Sequence, residues 1–186
     1  MVDWNVEQRD NRLCFQLVTE QRWISGYVQT VHRRVIDLVN SGTLPAFVTR
    51  DASLASGPIH SAFDGTGEDQ ITVVTERVLF LVPVEPVGTT APPADPRLWI
   101  TKKVVESALL GIGPYEIFGQ VHLPQGAELR RDFLSTGLEF FAVTDAVIRR
   151  LDGTMSLKER TVVVNRRRVD YAIPSVWPRH WAGFES

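Results

Sequence analysis

The segment Ile24-Ser25-Gly26-Tyr27-Val28 returns in altered form as Ile117-Phe118-Gly119-Gln120-Val121, 93 positions further along the chain. A second segment, Phe47-Val48-Thr49-Arg50-Asp51-Ala52, returns 94 positions later as Phe141-Ala142-Val143-Thr144-Asp145-Ala146. Self-similarity at a nearly constant spacing is the signature of a repeated structural unit. The pattern therefore predicts two copies of one small unit, rather than one continuous fold of 186 residues.

The composition restricts the class of protein. Hydrophobic residues make up 44% of the chain, which is enough for a core, and a formal net charge of −2 creates no strong attraction to nucleic acid or anionic lipid. The single cysteine, Cys14, excludes an internal disulfide and fits a reducing compartment. The N-terminus lacks the pattern of a secretory signal, and no apolar stretch approaches the roughly 18–20 residues of a membrane helix. We therefore expect a cytoplasmic protein.

Short strands separated by turns dominate the local pattern. In the first half, apolar residues predict strands over 13–19, 23–31, 44–54, 71–75 and 78–82, with one short helix over 33–40. In the second half, they predict strands over 98–105, 117–123, 138–149, 160–165 and 169–173, with one short helix over 127–135. Residues 110–114 are expected to form a glycine-containing connection and Asp152-Gly153 a hairpin turn. Gly26, inside a strand, predicts a bulge or a close approach of two backbones.

Five prolines between residues 83 and 96 predict an extended linker where the repeat requires a boundary. We therefore divide the chain into a first β-barrel unit over 1–83, a linker over 84–96, a second β-barrel unit over 97–173 and an aromatic tail over 174–186. Five short strands per unit predict a mainly β fold of two tandem small antiparallel barrels, SH3-like or Sm-like, related by internal duplication. The tail carries Trp177, Trp181 and Phe184, and either folds back over the first unit or is presented to a partner.

Clusters of arginine are the candidate ligand-binding residues. Guanidinium groups bind phosphates with two parallel hydrogen bonds, so a surface rich in arginine predicts a nucleotide- or RNA-binding site. The alternative interpretation is that these arginines lie in solvated turns and pair with Asp and Glu. The candidates are Arg33, Arg34, Arg130, Arg131, Arg166, Arg167 and Arg168.

Four aspartates also recur at matching points of the two copies: Asp37, Asp51, Asp132 and Asp145. Their repetition indicates either turn capping or acid–base and metal chemistry, and we favour turn capping because a catalytic pair has little need to be duplicated. The four histidines lack metal-ligand spacing, so we expect neither a metal nor a cofactor. No nucleophile or phosphate-loop motif is present, and we expect a protein that is not an enzyme.

The second half resembles a module of uncharacterised bacterial proteins, which has the pattern Gly-x-hydrophobic-x-Leu-Pro-x-Gly, then Asp-hydrophobic-Leu, then Thr-Asp-Ala. The matching residues are Gly119 to Gly126, Asp132-Phe133-Leu134 and Thr144-Asp145-Ala146. This resemblance implies no known activity. A weaker resemblance, through the Asp-to-Gly spacing of residues 37–42 and 132–137, is to PilZ domains, which are barrels that bind cyclic di-GMP. It implies nucleotide binding by arginines, although valine and leucine stand where those domains have serine.

Three functions remain open at this stage. The leading hypothesis is a non-enzymatic binding or scaffold protein that engages a protein partner or another copy of itself. The first alternative is a regulator that binds a nucleotide or RNA through arginines. The second alternative is an enzyme with a site between the two units, where clefts commonly form.

Overall fold

The computed structural model describes residues 12–32, 34–41, 45–58, 68–84, 103–125 and 138–174. These residues form one antiparallel sheet of ten strands, which confirms the prediction of a mainly β protein. One α-helix, α1 (Val35–Asn40), lies between β2 and β3, and the 3₁₀ helices Thr75–Arg77 and Arg166–Arg168 precede β5 and β10. The strands are β1 Arg12–Val18, β2 Trp23–Gln29, β3 Ala46–Ala55, β4 Glu68–Val74, β5 Phe80–Val84, β6 Lys103–Ile112, β7 Tyr115–Pro124, β8 Phe140–Arg150, β9 Ser156–Asn165 and β10 Tyr171–Pro174.

The strands of the sheet follow the order β10-β6-β7-β8-β9-β5-β1-β2-β3-β4. The first half of the sheet (β1 to β5) and the second half (β6 to β10) have the same internal order. In each half the first strand lies between the second and the fifth, while the third strand joins the second to the fourth. Each half also has a 3₁₀ helix immediately before its fifth strand.

The prediction of two closed barrels is wrong. β5 pairs with β1 on one side and with β9 on the other, so the two halves merge into one sheet. We call the β5–β9 pair the junction; in it Phe80 faces Val164 and Leu81 faces Val163. The side of β5 that would close the first half against β4 is therefore occupied by a strand of the second half.

Both halves bend at the same point. The register of β2 on β3 shifts at Gly26, and that of β7 on β8 shifts at Gly119. A Cβ atom at Gly26 would lie 2.8 Å from the carbonyl oxygen of Arg50, and one at Gly119 would lie 2.8 Å from that of Thr144. The expected bulge and close backbone approach at Gly26 are confirmed.

The core is shared between the halves. One cluster of buried side chains contains Trp23 and Phe80 of the first half together with Tyr115 of the second half. The other cluster belongs mainly to the first half, yet it includes Phe140 and Val163 of the second. Because each cluster takes side chains from both halves, neither half encloses its own core independently.

The connection predicted over residues 110–114 is shorter in the structure, because β6 continues to Ile112 and only Gly113 and Pro114 form the tight turn. Gly111 lies inside β6, and the ring of Tyr171, its partner on β10, occupies the space that a side chain at this position would fill. The predicted hairpin turn at Asp152-Gly153 is confirmed, and Gly153 has a positive φ of 75°.

Several sequence predictions fall on residues outside the described ranges. Of the predicted linker over 84–96, Val84 is the last residue of β5, and the remainder lies outside. The predicted helix over 127–135 lies outside as well. Of the predicted tail over 174–186, Pro174 ends β10 and the other residues lie outside.

Candidate functional site

The predicted arginines fall into two described places. Arg34 precedes α1, and the other described candidates form the 3₁₀ helix Arg166–Arg168. Arg33, Arg130 and Arg131 lie outside the described residues.

Arg34 forms a bidentate ion pair with Asp37, which is one of the repeated aspartates. Its Nε atom donates to Oδ2 of Asp37 and its Nη2 atom to Oδ1, both at 2.7 Å. The hydrogen bond to Asp37 raises the pKa of Arg34, against the opposing effect of burial. Within the first turn of α1, this aspartate also stabilises the positive end of the helix. The pair occupies the edge of the guanidinium formed by Nε and Nη2, one of the edges through which an arginine binds a phosphate with two hydrogen bonds.

The 3₁₀ helix Arg166–Arg168 lies beside carboxylates from both halves. The Nε atom of Arg167 is 3.6 Å from Oε1 of Glu139, and Arg168 forms an ion pair with Glu20, in the turn between β1 and β2. The backbone N–H of Arg166 donates to the carbonyl oxygen of Glu139 at 2.9 Å. The positive charge of this helix is therefore partly neutralised, and one of its ion pairs connects the second half to the first.

Asn165 fixes the register of the junction. It is fully buried; its backbone N–H donates to the carbonyl oxygen of Leu79 at 3.0 Å, and its Nδ2 atom donates to that of Val78 at 3.0 Å. Its side-chain oxygen accepts a hydrogen bond from the backbone N–H of Arg167. A buried amide with these specific partners favours one alignment of β5 on β9, because a shift by one residue would leave it unsatisfied.

Aromatic side chains fill the space beside the junction. Trp23, Phe80 and Tyr115 contact one another edge to face, with ring centroids 5.3–6.3 Å apart. The Nε1 atom of Trp23, in the first half, donates to the Oη atom of Tyr115, in the second half, at 3.0 Å. All three residues are buried, so the halves meet at these side chains in a packed core.

A depression of about 250 Å³ lies within the first half, lined in part by Val28, Leu38 and Phe47. It is mainly apolar and lies away from the arginines of the 3₁₀ helix Arg166–Arg168. Across the described ranges, no group of three or more His, Cys, Asp or Glu side chains is positioned to hold a metal ion.

The two ends of the sheet carry exposed apolar side chains. Among the described strands, β4 pairs only with β3 and β10 only with β6. Val74, at the end of β4, and Ile173, in β10, are each 50% exposed, and Tyr171 of β10 is 41% exposed. Apolar side chains on strands that, among the described residues, end a sheet are typical of surfaces that bind protein.

The sequence reasoning missed these outer strands as a candidate site and placed its candidates on the arginines. The signal was present in the repeat, since Tyr171-Ala172-Ile173-Pro174 is the second-half counterpart of Phe80-Leu81-Val82-Pro83. Only the pairing of β5 with β9 shows that the first of these segments is internal and the second lies at an end.

The remaining repeated aspartates have a backbone role. Asp51 and Asp145 have positive φ angles of 45° and 50°, and both lie inside the shifts in register, on the strands opposite Gly26 and Gly119. Aspartate tolerates this left-handed conformation better than most residues. Asp132 lies outside the described residues.

Comparison with known proteins gives no match to any protein family, to any curated protein or to any solved structure. No helix in the described part of the chain is long and apolar enough to cross a membrane. The function must therefore be inferred from the geometry of the molecule alone.

Proposed function

We propose that the protein is a non-enzymatic binding or scaffold protein, which engages a protein partner or another copy of itself through the outer strands of its sheet. The observation that carries this proposal is the exposed apolar side chains of Val74, Tyr171 and Ile173 on the two end strands. Unpaired strand edges bind other chains by extending the sheet, and apolar side chains beside them add buried area.

We further propose that both halves descend from one duplicated β unit of SH3-like or Sm-like strand order. Four features that recur in the halves support this origin. They are the strand order, the shift in register at a glycine, the aspartate with positive φ, and the 3₁₀ helix before the last strand.

Two observations place the alternatives lower. The carboxylates beside Arg34, Arg167 and Arg168 compete with a phosphate for the guanidinium groups, which disfavours the nucleotide- or RNA-binding regulator. The packed aromatic residues beside the junction leave little room there for a substrate, which disfavours an enzyme with a site between the halves.

The test is a pull-down with the full-length protein as bait, in extract from its native host, comparing the wild type with the double variant Val74→Lys/Ile173→Lys. Lysine on an outer strand discourages pairing with another chain. We expect the wild-type bait to retain at least one protein that the double variant does not retain. Untagged copies of this chain count as such a protein. Identical sets of retained proteins for the two baits would overturn the proposal.

The matched control is Leu151→Lys, because Leu151 is 57% exposed and lies in the turn between β8 and β9, away from both end strands. This bait is expected to retain the same proteins as the wild type. The arginine alternative is tested separately, by fluorescence anisotropy with labelled RNA and cyclic di-GMP. Salt-sensitive binding that is lost when Arg166, Arg167 and Arg168 are replaced by alanine would favour it over our proposal.

A further inference from the structure

We propose that copies of the chain assemble head to tail, with β10 of one copy pairing antiparallel to β4 of the next. This inference rests on the proposed function and names its partner as a second copy of the chain. It is carried by the junction, in which one polypeptide already pairs the same two kinds of strand.

The register of the sheet shows that β10 is the counterpart of β5. Val18 faces Phe80 where β1 pairs with β5, and Gly111, 93 positions after Val18, faces Tyr171 where β6 pairs with β10. Phe80 and Tyr171 therefore occupy equivalent places, each at the start of the last strand of its half.

In the same way, β4 is the counterpart of β9. Phe47 faces Val73 where β3 pairs with β4, and Phe141, its repeat 94 positions later, faces Val164 where β8 pairs with β9. The junction uses the last strand of the first half and the fourth strand of the second half. The strands left at the two ends of the sheet are the remaining fourth strand, β4, and the remaining last strand, β10.

Positions that the junction buries are exposed on these end strands. Val82 and Asn165, beside the junction, are 2% and 0% exposed. Their counterparts Ile173 and Val74 are each 50% exposed. Pairing β10 with β4 of another copy, in the geometry of the junction, would bury both apolar side chains.

The backbone is arranged for this pairing. Asn165 directs its N–H across the junction to Leu79, so its counterpart Val74 directs its N–H to the outer side of β4. N–H groups two residues apart in a strand point the same way, which adds the N–H of Thr72. In the register of the junction, Tyr171 of one copy would face Val73 of the next, and Ala172 would face Thr72.

Charges at the proposed interface are complementary. Trp23 of β2 faces Val18, and Glu116 of β7 faces Gly111, the counterpart of Val18, so Trp23 and Glu116 are counterparts. The residues that precede them, Arg22 and Tyr115, are therefore counterparts too. Across the junction Trp23 donates a hydrogen bond to Tyr115. A head-to-tail interface would place Glu116 of one copy at this contact with Arg22 of the next, which unites opposite charges.

The carboxylate of Glu116 is positioned for such a contact. It is largely buried, and its Oε1 atom accepts a hydrogen bond from the Oη atom of Tyr171 at 2.8 Å. The ring of Tyr171, which is 41% exposed and whose Oη atom is held by this carboxylate, offers an aromatic surface at the edge where the guanidinium of Arg22 would arrive. Because the two surfaces of this interface differ, assembly continues from copy to copy into a closed ring or an open filament.

The experiment measures the mass of the full-length protein by light scattering over a range of concentrations, for the wild type and for the variants Val74→Lys, Ile173→Lys and Leu151→Lys. Either end-strand variant would place a lysine ammonium at a buried position of the interface, which is costly. We expect the wild type and Leu151→Lys to exceed the mass of one chain. Each end-strand variant alone is expected to remain at the mass of one chain.

A mixture of the two end-strand variants distinguishes head-to-tail assembly from other modes. The Val74→Lys chain keeps an intact β10 and the Ile173→Lys chain keeps an intact β4, so we expect a complex of two chains and nothing larger. Formation of this complex also shows that both variants are folded. Arg22→Glu, in an exposed turn, is expected to weaken wild-type association about tenfold.

A wild-type chain that keeps the mass of one chain at every concentration would overturn the inference, whatever the variants do. End-strand variants that assemble like the wild type would overturn it too, as would a folded pair that does not combine. The proposed function fails by a different result, namely a pull-down that is unchanged by substitutions in both end strands. A chain without self-assembly that still retains another protein through its end strands keeps the proposed function and loses only this inference.

Discussion

Gly26 and Gly119 allow two backbones to approach where each half bends. An added methyl group at Gly26 would meet the carbonyl oxygen of Arg50 at 2.8 Å, and a backbone atom cannot swing away as a side chain can. We expect Gly26→Ala to lower the free energy of unfolding by about 1–3 kcal/mol, as overpacked sites do. Urea denaturation measures this change. Gly57→Ala is the control, because nothing lies within 4 Å of the added atom, and equal losses in both variants would contradict the prediction.

Tyr171 supplies a pH-dependent contribution to stability. Burial and the hydrogen bond to Glu116 raise its pKa from 10.0 to about 12. A raised pKa means that the folded protein holds this proton more tightly than the unfolded chain does. The stabilisation is therefore complete below pH 10 and is lost as the pH rises towards 12. Ultraviolet absorbance of tyrosinate follows the titration, and Tyr171→Phe identifies the residue.

Glu116→Gln separates the causes of this shift. The variant keeps a hydrogen-bond acceptor beside Tyr171 but removes the negative charge that disfavours tyrosinate, so the pKa of Tyr171 is expected to fall. An unchanged titration would show that Glu116 does not contribute, which leaves burial and the charge of Asp170 as the causes of the raised pKa.

At the scale of elements, the side-chain amide of Asn40 connects α1 to the second half by hydrogen bonds, beside the apolar packing of the helix on Phe140. Asn40 donates from Nδ2 to the carbonyl oxygen of Phe140 at 2.9 Å and accepts from the backbone N–H of Phe140 at 3.0 Å. Asn40→Asp removes the donor and sets a carboxylate against that carbonyl oxygen. We expect the free energy of unfolding at neutral pH to fall by about 1–3 kcal/mol. Chemical denaturation measures the loss.

A change of pH provides the control for Asn40→Asp. Below about pH 4 an aspartic acid side chain is protonated and regains a donor, so the difference from the wild type is expected to shrink there. A difference that does not change with pH would indicate that lost packing, and not the hydrogen bond to Phe140, is the cause.

The elements that sequence predicted well are those defined by local periodicity. Alternating Leu13, Phe15 and Leu17 gave β1, and Gly26 indicated its bulge correctly because a strand glycine has few other uses. β6 was placed too early, since Gly111 was interpreted as part of a connection. In the structure, this glycine receives the ring of Tyr171, a residue 60 positions away, and no local pattern contains that information.

At the scale of the whole molecule, the shared core predicts that the halves unfold together. Phe80 packs against Trp23 of its own half and Tyr115 of the other. Phe80→Ala is expected to lower the free energy of unfolding by about 3–5 kcal/mol. Hydrogen exchange should accelerate equally in β2 and β7, and calorimetry should show one transition. Two separate transitions, or faster exchange in the first half alone, would contradict a shared core.

The junction was the part of the fold that sequence could not predict. Closed barrels were expected because strands this short need their edges covered. The structure covers the outer side of β5 with β9 instead, through a contact of two facing residue pairs. The residues that pair at the junction are ordinary strand residues, so their types fit closed barrels and one merged sheet equally well. They are Phe80, Leu81, Val163 and Val164. The candidate site was missed for the same reason, because the strands that pair at the junction determine which strands remain at the ends of the sheet.

The order of synthesis gives the junction a further significance. Phe80 leaves the ribosome 84 residues before its partner Val164. At typical translation speeds this interval lasts roughly 4–17 s, during which β5 exists without β9. Neighbouring nascent chains on one messenger pass through the same interval. Asn165, which donates hydrogen bonds to Leu79 and Val78, then favours pairing with the strand of its own chain.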